Sequence, residues 1–256
     1  MVGDIKNIII IESLHGERKT GLELYEDCIR RKITYQNKDF THSYHAVNTK
    51  DELLEIINYI IYNSPYMHGG VLIHLEMHGD ENKKGLILSD QSLVTWVELI
   101  EKFRDINIIT KDNLFITMAT CFGRYLYLGV DPYKKSPFSG YISASIAVYP
   151  DEIVEKFFIL FENLIDKGNL VKAYLDMEKT ESNFYYKDRK RAFDEAFQSV
   201  LEKLHGNMDL KQKILAEAEE KMFTETGVKL TDPEKEIIFN KALNDIAKKS
   251  YSSFKL

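Results

Sequence analysis

Two stretches of sequence decide the fold: VLIHLEMHGD at residues 71–80 and NLFITMATCFG at residues 113–123. Each begins as a run of apolar and β-branched residues, which is typical of a buried β-strand. Each then ends on a reactive side chain with a glycine close behind it. The first stretch ends on His78 and the second on Cys121. Fold and chemistry are therefore predicted from the same two places in the chain.

Strand-like and helix-like patterns alternate over the first 150 residues, and this alternation predicts an α/β fold with a mostly parallel sheet. The predicted strands cover residues 7–12, 40–47, 71–77, 113–119 and 140–148. Helical spacing of apolar residues is found at 21–32, 51–62 and 96–103, and a small hairpin at 85–95. A further helix is predicted from Pro150, because proline followed by two acids is typical of a helix N-terminus.

The chain changes character after residue 184. Residues 185–256 are rich in Lys, Glu and Ala. Three helices are predicted there, at residues 188–204, 210–223 and 232–250. We therefore divide the chain into an α/β domain at residues 1–184 and a helical C-terminal region at residues 185–256. We expect the helical region to pack on the same domain, and the alternative is a docking appendage.

Composition indicates an ordinary globular protein. Of the 256 residues, 44% are hydrophobic and 29% are charged, and the net charge of −6 argues against a nucleic-acid partner. No apolar stretch approaches the length of about 18 residues that predicts a transmembrane helix, and the N-terminus lacks the pattern of a signal peptide. The two cysteines, Cys28 and Cys121, suggest no disulfide framework. We expect a cytoplasmic protein that needs no cofactor and binds no membrane.

A histidine and a cysteine at two strand ends can form a catalytic dyad. Sites in open α/β sheets form where the strands end, so neighbouring strands would bring His78 and Cys121 within reach of each other. The imidazole can take the thiol proton and later give it to a leaving amine. The backbone N–H groups of Gly79 and Cys121 are the expected donors to the oxyanion. The residues thus favour a cysteine peptidase.

Beyond this pair, residues 5–180 resemble the CHAT peptidases, a branch of the caspase-like clan. The resemblance is carried by His74, His78-Gly79, Gly85-Leu86-Ile87-Leu88, the helix at 96–103, Ala119-Thr120-Cys121 and the segment 139–152. It implies a caspase-like three-layer α/β/α sandwich in which His78 is the catalytic base and Cys121 the nucleophile. Of the caspase signature Gln-Ala-Cys-x-Gly, this chain retains Cys-x-Gly.

The same resemblance implies an endopeptidase that cleaves a specific protein substrate in bacterial signalling or antiviral defence, under the control of an activating protein partner. Relatives that cut beside basic residues often carry an acid two positions before the cysteine, where this chain has Ala119. Cleavage beside Arg or Lys is therefore not expected. Arg18, Glu76 and Asp80 are the candidates for the substrate pocket.

Two other interpretations stay open. On a strand, His74, Glu76 and His78 share one face because the side-chain period is two, and such a set could bind Zn or Fe in a metal-dependent hydrolase. Its order differs from the helical His-Glu-x-x-His motif. Alternatively, the chain is a catalytically silent caspase-like module that binds a partner protein, with Cys121 as a buried small hydrophobic residue. Cys28, at a helical spacing among apolar residues, is expected to be inert core.

Overall fold

The computed structural model describes residues 3–227 and 230–255. The strands of this described part are β1 Ile5–Ser13, β2 Thr41–Ala46, β3 Gly70–Gly79, β4 Gly85–Ile87, β5 Leu93–Thr95, β6 Leu114–Ala119, β7 Gly140–Ala144 and β8 Phe184–Asp188. The main sheet has the order β2-β1-β3-β6-β7-β8. Its pairs are parallel except for β7 and β8, which are antiparallel. β4 and β5 form an antiparallel hairpin that pairs with the end of β3.

Helices lie on both sides of this sheet. Their bounds are α1 Thr20–Leu24, α2 Arg31–Gln36, α3 Lys50–Asn63, α4 Trp96–Ile109, α5 Pro150–Lys167, α6 Leu170–Met177, α7 Arg189–Gly206, α8 Met208–Thr226 and α9 Asp232–Phe254. A π-helical segment, Tyr25–Arg30, joins α1 to α2, and short 3-10 segments occupy Ser64–Tyr66 and Gly123–Gly129. None of the described helices is both long enough and apolar enough to cross a bilayer.

The strand period of two divides the core between the two faces of the sheet. On one face, Ile73 and Leu75 of β3 pack with α3, α4 and α7. On the other face, Leu72 of β3 and Phe115 of β6 pack with α1, α5 and α6. The structure is therefore a three-layer α/β sandwich with a mostly parallel sheet, which confirms the predicted fold class.

Local sequence signals decide where the helices begin. α3 and α4 each start with a capping box, in which Thr49 pairs with Glu52 and Thr95 pairs with Glu98. α5 begins at Pro150 with two acids in its first turn. These signals keep the connections short, and they return each helix to the sheet next to the strand it follows.

The C-terminal region differs from the prediction at its start. Residues 185–188, assigned to the helical region, belong to β8, which pairs with β7 over its five residues. The sheet therefore continues past the predicted boundary at residue 184. Phe193 and Phe197 of α7 and Phe254 of α9 are buried in the same apolar cluster as Ile73. α7 and α9 thus share the core of the sheet.

Candidate active site

The register between β3 and β6 determines where the two reactive side chains lie. Glu76 pairs with Ala119, an offset of 119 − 76 = 43 residues. The same offset continued by two residues places His78 opposite Cys121 (121 − 78 = 43). His78 is still within β3 and follows the face of Glu76 because the side-chain period is two, and Cys121 lies in the turn that follows β6. The two reactive residues therefore meet at one edge of the sheet.

His78 and Cys121 line the same cavity, which has a volume of about 130 Å³. Its walls are the end of β3, the turn after β6, the loop after β1 and the start of α5. A larger cavity of about 720 Å³ lies at the opposite end of the strands, beside the starts of β1 and β2. We take the smaller cavity as the candidate site because it contains the reactive groups.

Cys121 occupies a tight turn after β6. Its side chain is partly exposed, and it forms no disulfide. The next residue, Phe122, has a left-handed backbone with φ of +59°, which costs about 1–2 kcal/mol for a residue with a side chain. The N–H of Phe122 donates to Ile146 O, and the following N–H donates to Thr120 O. Among the backbone hydrogen bonds of this turn in the described chain, none has the Cys121 N–H as its donor.

Gly79 lies against the turn that carries the thiol. A Cβ at this position would be 1.8 Å from the carbonyl oxygen of Cys121, so a larger residue does not fit. Gly79 pairs with Leu86 in a non-hydrogen-bonded position, because the neighbouring Asp80 N–H donates to Gly85 O at 3.0 Å. The N–H of Gly79 therefore points away from β4 and toward the side of β6. The N–H groups of Gly79 and Cys121, which are the predicted oxyanion donors, therefore both lie at the edge where β3 and β6 end.

A carboxylate holds the imidazole of His78. Its Nε2 lies 2.9 Å from Oε1 of Glu17, and both side chains are about half exposed. In the neutral ring this contact places the proton on Nε2 and leaves Nδ1 as the acceptor for a thiol proton. Glu17 was not among the predicted site residues. The available signal was its place in the loop SLHGERKTG, which follows the strand beside β3.

His78 and Cys121 are not hydrogen-bonded to each other in the described chain. The hydrogen bond of the His78 ring is the one to Glu17. The imidazole and the thiol therefore have to approach each other before a proton can pass between them. Catalytic hydrogen bonds often tighten only when substrate is bound, so this geometry is compatible with a dyad.

Glu76 belongs to a buried network and does not contact His78. One of its carboxylate oxygens lies 2.8 Å from His74 Nε2, and the other accepts the Thr20 hydroxyl at 2.6 Å. The Nδ1 of His74 lies 2.8 Å from the Thr117 hydroxyl. These four side chains are almost fully buried. Glu76 therefore lines the cavity and ties β3 to α1, while His74 ties β3 to β6. Glu76 does not orient the proposed base.

A second buried carboxylate, that of Glu12, lies beside Glu76 in the register of β1 and β3. Glu12 accepts the Gly21 N–H at 2.7 Å and the Tyr44 hydroxyl at 2.5 Å. Burial raises the pKa of Glu12, and the charge of Glu76 raises it further. The two acids together hold the start of α1, and with it the loop that carries Glu17.

Arg18 and Asp80 have partners outside the proposed chemistry. Arg18 lines the cavity, but its guanidinium forms ion pairs with Glu23 at 2.8 Å and with Asp151 at 2.5 Å. Asp80 does not line the cavity. Its carboxylate accepts the Lys84 N–H at 3.0 Å, which closes the turn into β4. The structure thus places Asp80 in the hairpin turn, and not in the predicted substrate pocket.

The alternative metal site is not assembled by these residues. Both ring nitrogens of His74 are already in contact with protein, at Thr117 and Glu76. The His78 ring turns instead to Glu17. Among the residues that the structure describes, no group of three His, Cys, Asp or Glu side chains is arranged to hold a metal ion. The set His74, Glu76 and His78 therefore does not fit Zn or Fe.

No protein-family model matches this chain, and no curated protein matches it significantly. The chemistry must therefore be argued from the site. A partly exposed thiol, an imidazole held by a carboxylate and two backbone N–H groups at one sheet edge can together perform nucleophilic acyl transfer.

Proposed function

We propose that this protein is a cysteine endopeptidase in which His78 is the base and Cys121 the nucleophile. The observation that carries the proposal is the shared register of β3 and β6, which brings both side chains to one cavity. The three-layer sandwich with a mostly parallel sheet is the architecture that the resemblance to CHAT peptidases implies. The support for the peptidase proposal is thus geometric, because it comes from two residues that are 43 positions apart in the chain and line one cavity.

In the proposed reaction, the proton of the Cys121 thiol passes to Nδ1 of His78. The sulfur attacks the scissile carbonyl, and the N–H groups of Gly79 and Cys121 hold the resulting oxyanion. The C–N bond then breaks as His78 gives its proton to the leaving amine, and a thioester remains. Water, which His78 deprotonates, attacks the thioester. The C–S bond breaks, the carboxylic product leaves and the thiol is restored.

The cavity suggests the kind of residue beside the cleaved bond. Its volume of about 130 Å³ suits one small side chain. The charged side chains of its lining all have partners within the protein, Glu17 in His78, Arg18 in Glu23 and Glu76 in its buried network. An uncharged residue is therefore favoured. In line with the resemblance, we propose a dedicated protein substrate in bacterial defence or signalling, and a cytoplasmic enzyme that an associated protein activates.

The second candidate function is a caspase-like module that binds a partner without catalysis. The observation in its favour is that the His78 ring contacts Glu17 and not Cys121. If the imidazole does not reach the thiol in solution, no base activates Cys121. The two candidates differ in the reactivity of Cys121, which can be measured without knowledge of the substrate.

The deciding measurement is the rate at which iodoacetamide alkylates each cysteine, followed by mass spectrometry at about pH 7. Cys28 is the internal control, because burial raises its pKa to about 12 and keeps it a protonated thiol. We expect Cys121 to react at least about tenfold faster in the wild type than in His78→Ala, because the thiolate is the reactive form. Cys28 should stay unlabelled in both.

Equal labelling rates of Cys121 in the wild type and in His78→Ala would contradict the peptidase proposal and favour the binding module. A cleavage assay on a peptide library completes the test. Cys121→Ala should abolish cleavage, whereas the matched variant Cys28→Ala should retain it. Cleavage that survives Cys121→Ala would assign the activity to other residues.

A further inference from the structure

β2 forms one edge of the main sheet, and among the described strands it pairs with β1 alone. The Val47 N–H donates to Glu12 O at 2.9 Å. In a parallel ladder this bond means that the odd-numbered residues of β2 face β1. The N–H and C=O groups of His42, Tyr44 and Ala46 therefore point outward. Such an edge is a template for a further strand.

The outer edge of β2 lacks the features that usually protect a sheet edge. Its sequence, THSYHA, contains no charged residue and no proline, and it pairs with β1 without a bulge. The opposite edge, β8, differs because it carries Asp188 and the inward-pointing, buried Lys187. Edge charges and inward-pointing charges are common devices against strand addition. Of the two edges, β2 is the receptive one.

The cavity of about 720 Å³ lies directly beside this edge. The starts of β1 and β2, the end of α3 and the loop before β3 form its walls. Side chains of a strand added to β2 would point alternately to the two faces of the sheet. Those on the face of α3 would enter this cavity, and in strand addition such side-chain pockets supply specificity.

Tyrosines surround the mouth of the cavity. Tyr59 and Tyr66 line it and are 59% and 74% exposed, and the neighbouring Tyr62 is 76% exposed. Tyrosine offers a large and rigid contact area at a low cost in side-chain entropy, and it is enriched at binding surfaces. The aromatic rim therefore favours a partner that lies along α3 as well as β2.

The lysine and the aspartate that line the cavity are paired with each other. Its charged lining residues are Lys6 and Asp39, and the Lys6 Nζ donates to Asp39 Oδ2 at 2.8 Å. Burial lowers the pKa of His42 and of His45, so both are neutral at neutral pH. A charged side chain that entered would lose its hydration without gaining a counter-ion. Electrostatic complementarity therefore selects an uncharged segment.

We propose that the outer edge of β2 is the docking site for an extended, uncharged segment of a partner protein. The segment pairs its backbone with His42, Tyr44 and Ala46. Its apolar or aromatic side chains, at every second position, occupy the cavity between β2 and α3. This inference does not depend on the peptidase proposal, because neither His78 nor Cys121 belongs to β2 or lines the cavity of about 720 Å³.

The test uses a phage-displayed library of random linear dodecapeptides, selected on the full-length protein and followed by synthesis of the enriched peptides. Ala46→Pro removes the outward N–H and leaves the ladder to β1 in place, since that N–H does not face β1. Ala46→Thr keeps the N–H and is the matched control. We expect uncharged peptides with alternating apolar residues, which bind wild type and Ala46→Thr equally and Ala46→Pro at least about tenfold more weakly.

Peptides that bind Ala46→Pro as tightly as the wild type would overturn the proposal. Amide hydrogen exchange on the wild type keeps the test decisive even if Ala46→Pro is unstable. Bound peptide should slow exchange at His42 and Tyr44, and protection confined to other regions would refute the site. If sedimentation instead shows a dimer that Ala46→Pro dissociates, the occupant is a second copy of this chain, and the partner segment is ruled out.

Discussion

The carbonyl oxygen of Cys121 limits the size of residue 79. Because the close contact is with backbone, a Cβ at 1.8 Å can be accommodated only if the turn of the thiol moves. We expect Gly79→Ala to lower the free energy of unfolding by about 1–3 kcal/mol, as overpacking does. Gly206→Ala is the matched control, since a Cβ there meets no atom within 4 Å. Urea unfolding measures both variants, and equal stability would contradict the packing described for Gly79.

Glu17 is proposed as a positioning residue, because it acts through His78. Glu17→Gln keeps the side-chain length but removes the charge that holds the Nε2 proton. We expect the alkylation of Cys121 to slow several-fold, because a neutral acceptor replaces a charged one, a difference of about 1 kcal/mol in the hydrogen bond to His78. The pH profile of alkylation should change as well, while the unfolding temperature stays the same. A structural role alone would not produce that combination.

Glu23→Gln is the control for Glu17→Gln, because Glu23 pairs with Arg18 and does not touch His78. Its alkylation rate and pH profile should match those of the wild type. Faster alkylation in Glu17→Gln would contradict the positioning role. It would show instead that Glu17 keeps the imidazole away from the thiol.

At the scale of single residues, the sequence predicts the site residues that lie at strand ends. It does not predict the site residues that lie in loops. His78 and Cys121 could be placed at one edge because each follows a recognisable strand. Glu17 reaches His78 from a different loop, and the path of that loop does not follow from any periodicity. Asp80 is one of the residues predicted for the substrate pocket. Its carboxylate closes a local turn instead, which is a common role for Asp after a strand.

At the scale of elements, the strands and helices with strong periodicity were predictable, and β8 was not. Its burial pattern places Phe184 and Lys187 inside, three residues apart, which matches neither face of an alternating strand. Lys187 is ion-paired with Glu195 of α7, and burial lowers its pKa to about 8. A buried lysine is recognisable only when its partner is known, and here the partner lies on another element.

The helix predicted at residues 21–32 is longer in the structure and changes type along its length. It runs through α1, the π-helical segment and α2 to Gln36. Cys28 lies in the π-helical segment and is buried, as expected for a core residue. The widened turn does not show in the sequence, because apolar spacing alone does not separate π-helical from α-helical turns.

At the scale of the whole molecule, α9 packs against the apolar core on one face of the sheet. Phe254 is fully buried, its ring centroid lies 5.2 Å from that of Phe193, and its carbonyl accepts the Ser136 N–H at 2.8 Å. We expect Phe254→Ala to lower the free energy of unfolding by about 3–5 kcal/mol. Ile237→Ala, on the same helix but 67% exposed, should change it by less than about 0.5 kcal/mol.

Chemical unfolding measures both α9 variants, and a single transition is expected for each. A small effect of Phe254→Ala would contradict the shared core and favour the docking appendage. The sequence could not decide between these arrangements, because an amphipathic helix shows that it has an apolar face but not what covers it. The contact between Phe193 of α7 and Phe254 of α9 can be recognised only in the folded structure.

The ladder between β3 and β6 has a consequence for how this protein can change over evolutionary time. Hydrogen bonds between the strands set the separation of His78 from Cys121 in space, and the number of residues that connect them does not. The connection can therefore gain or lose residues, for example in the turn between β3 and β4, while the reacting atoms stay in place. Homologous chains should vary widely in the spacing of the pair. The invariant that identifies them is two adjacent strand ends, and not a fixed interval of sequence.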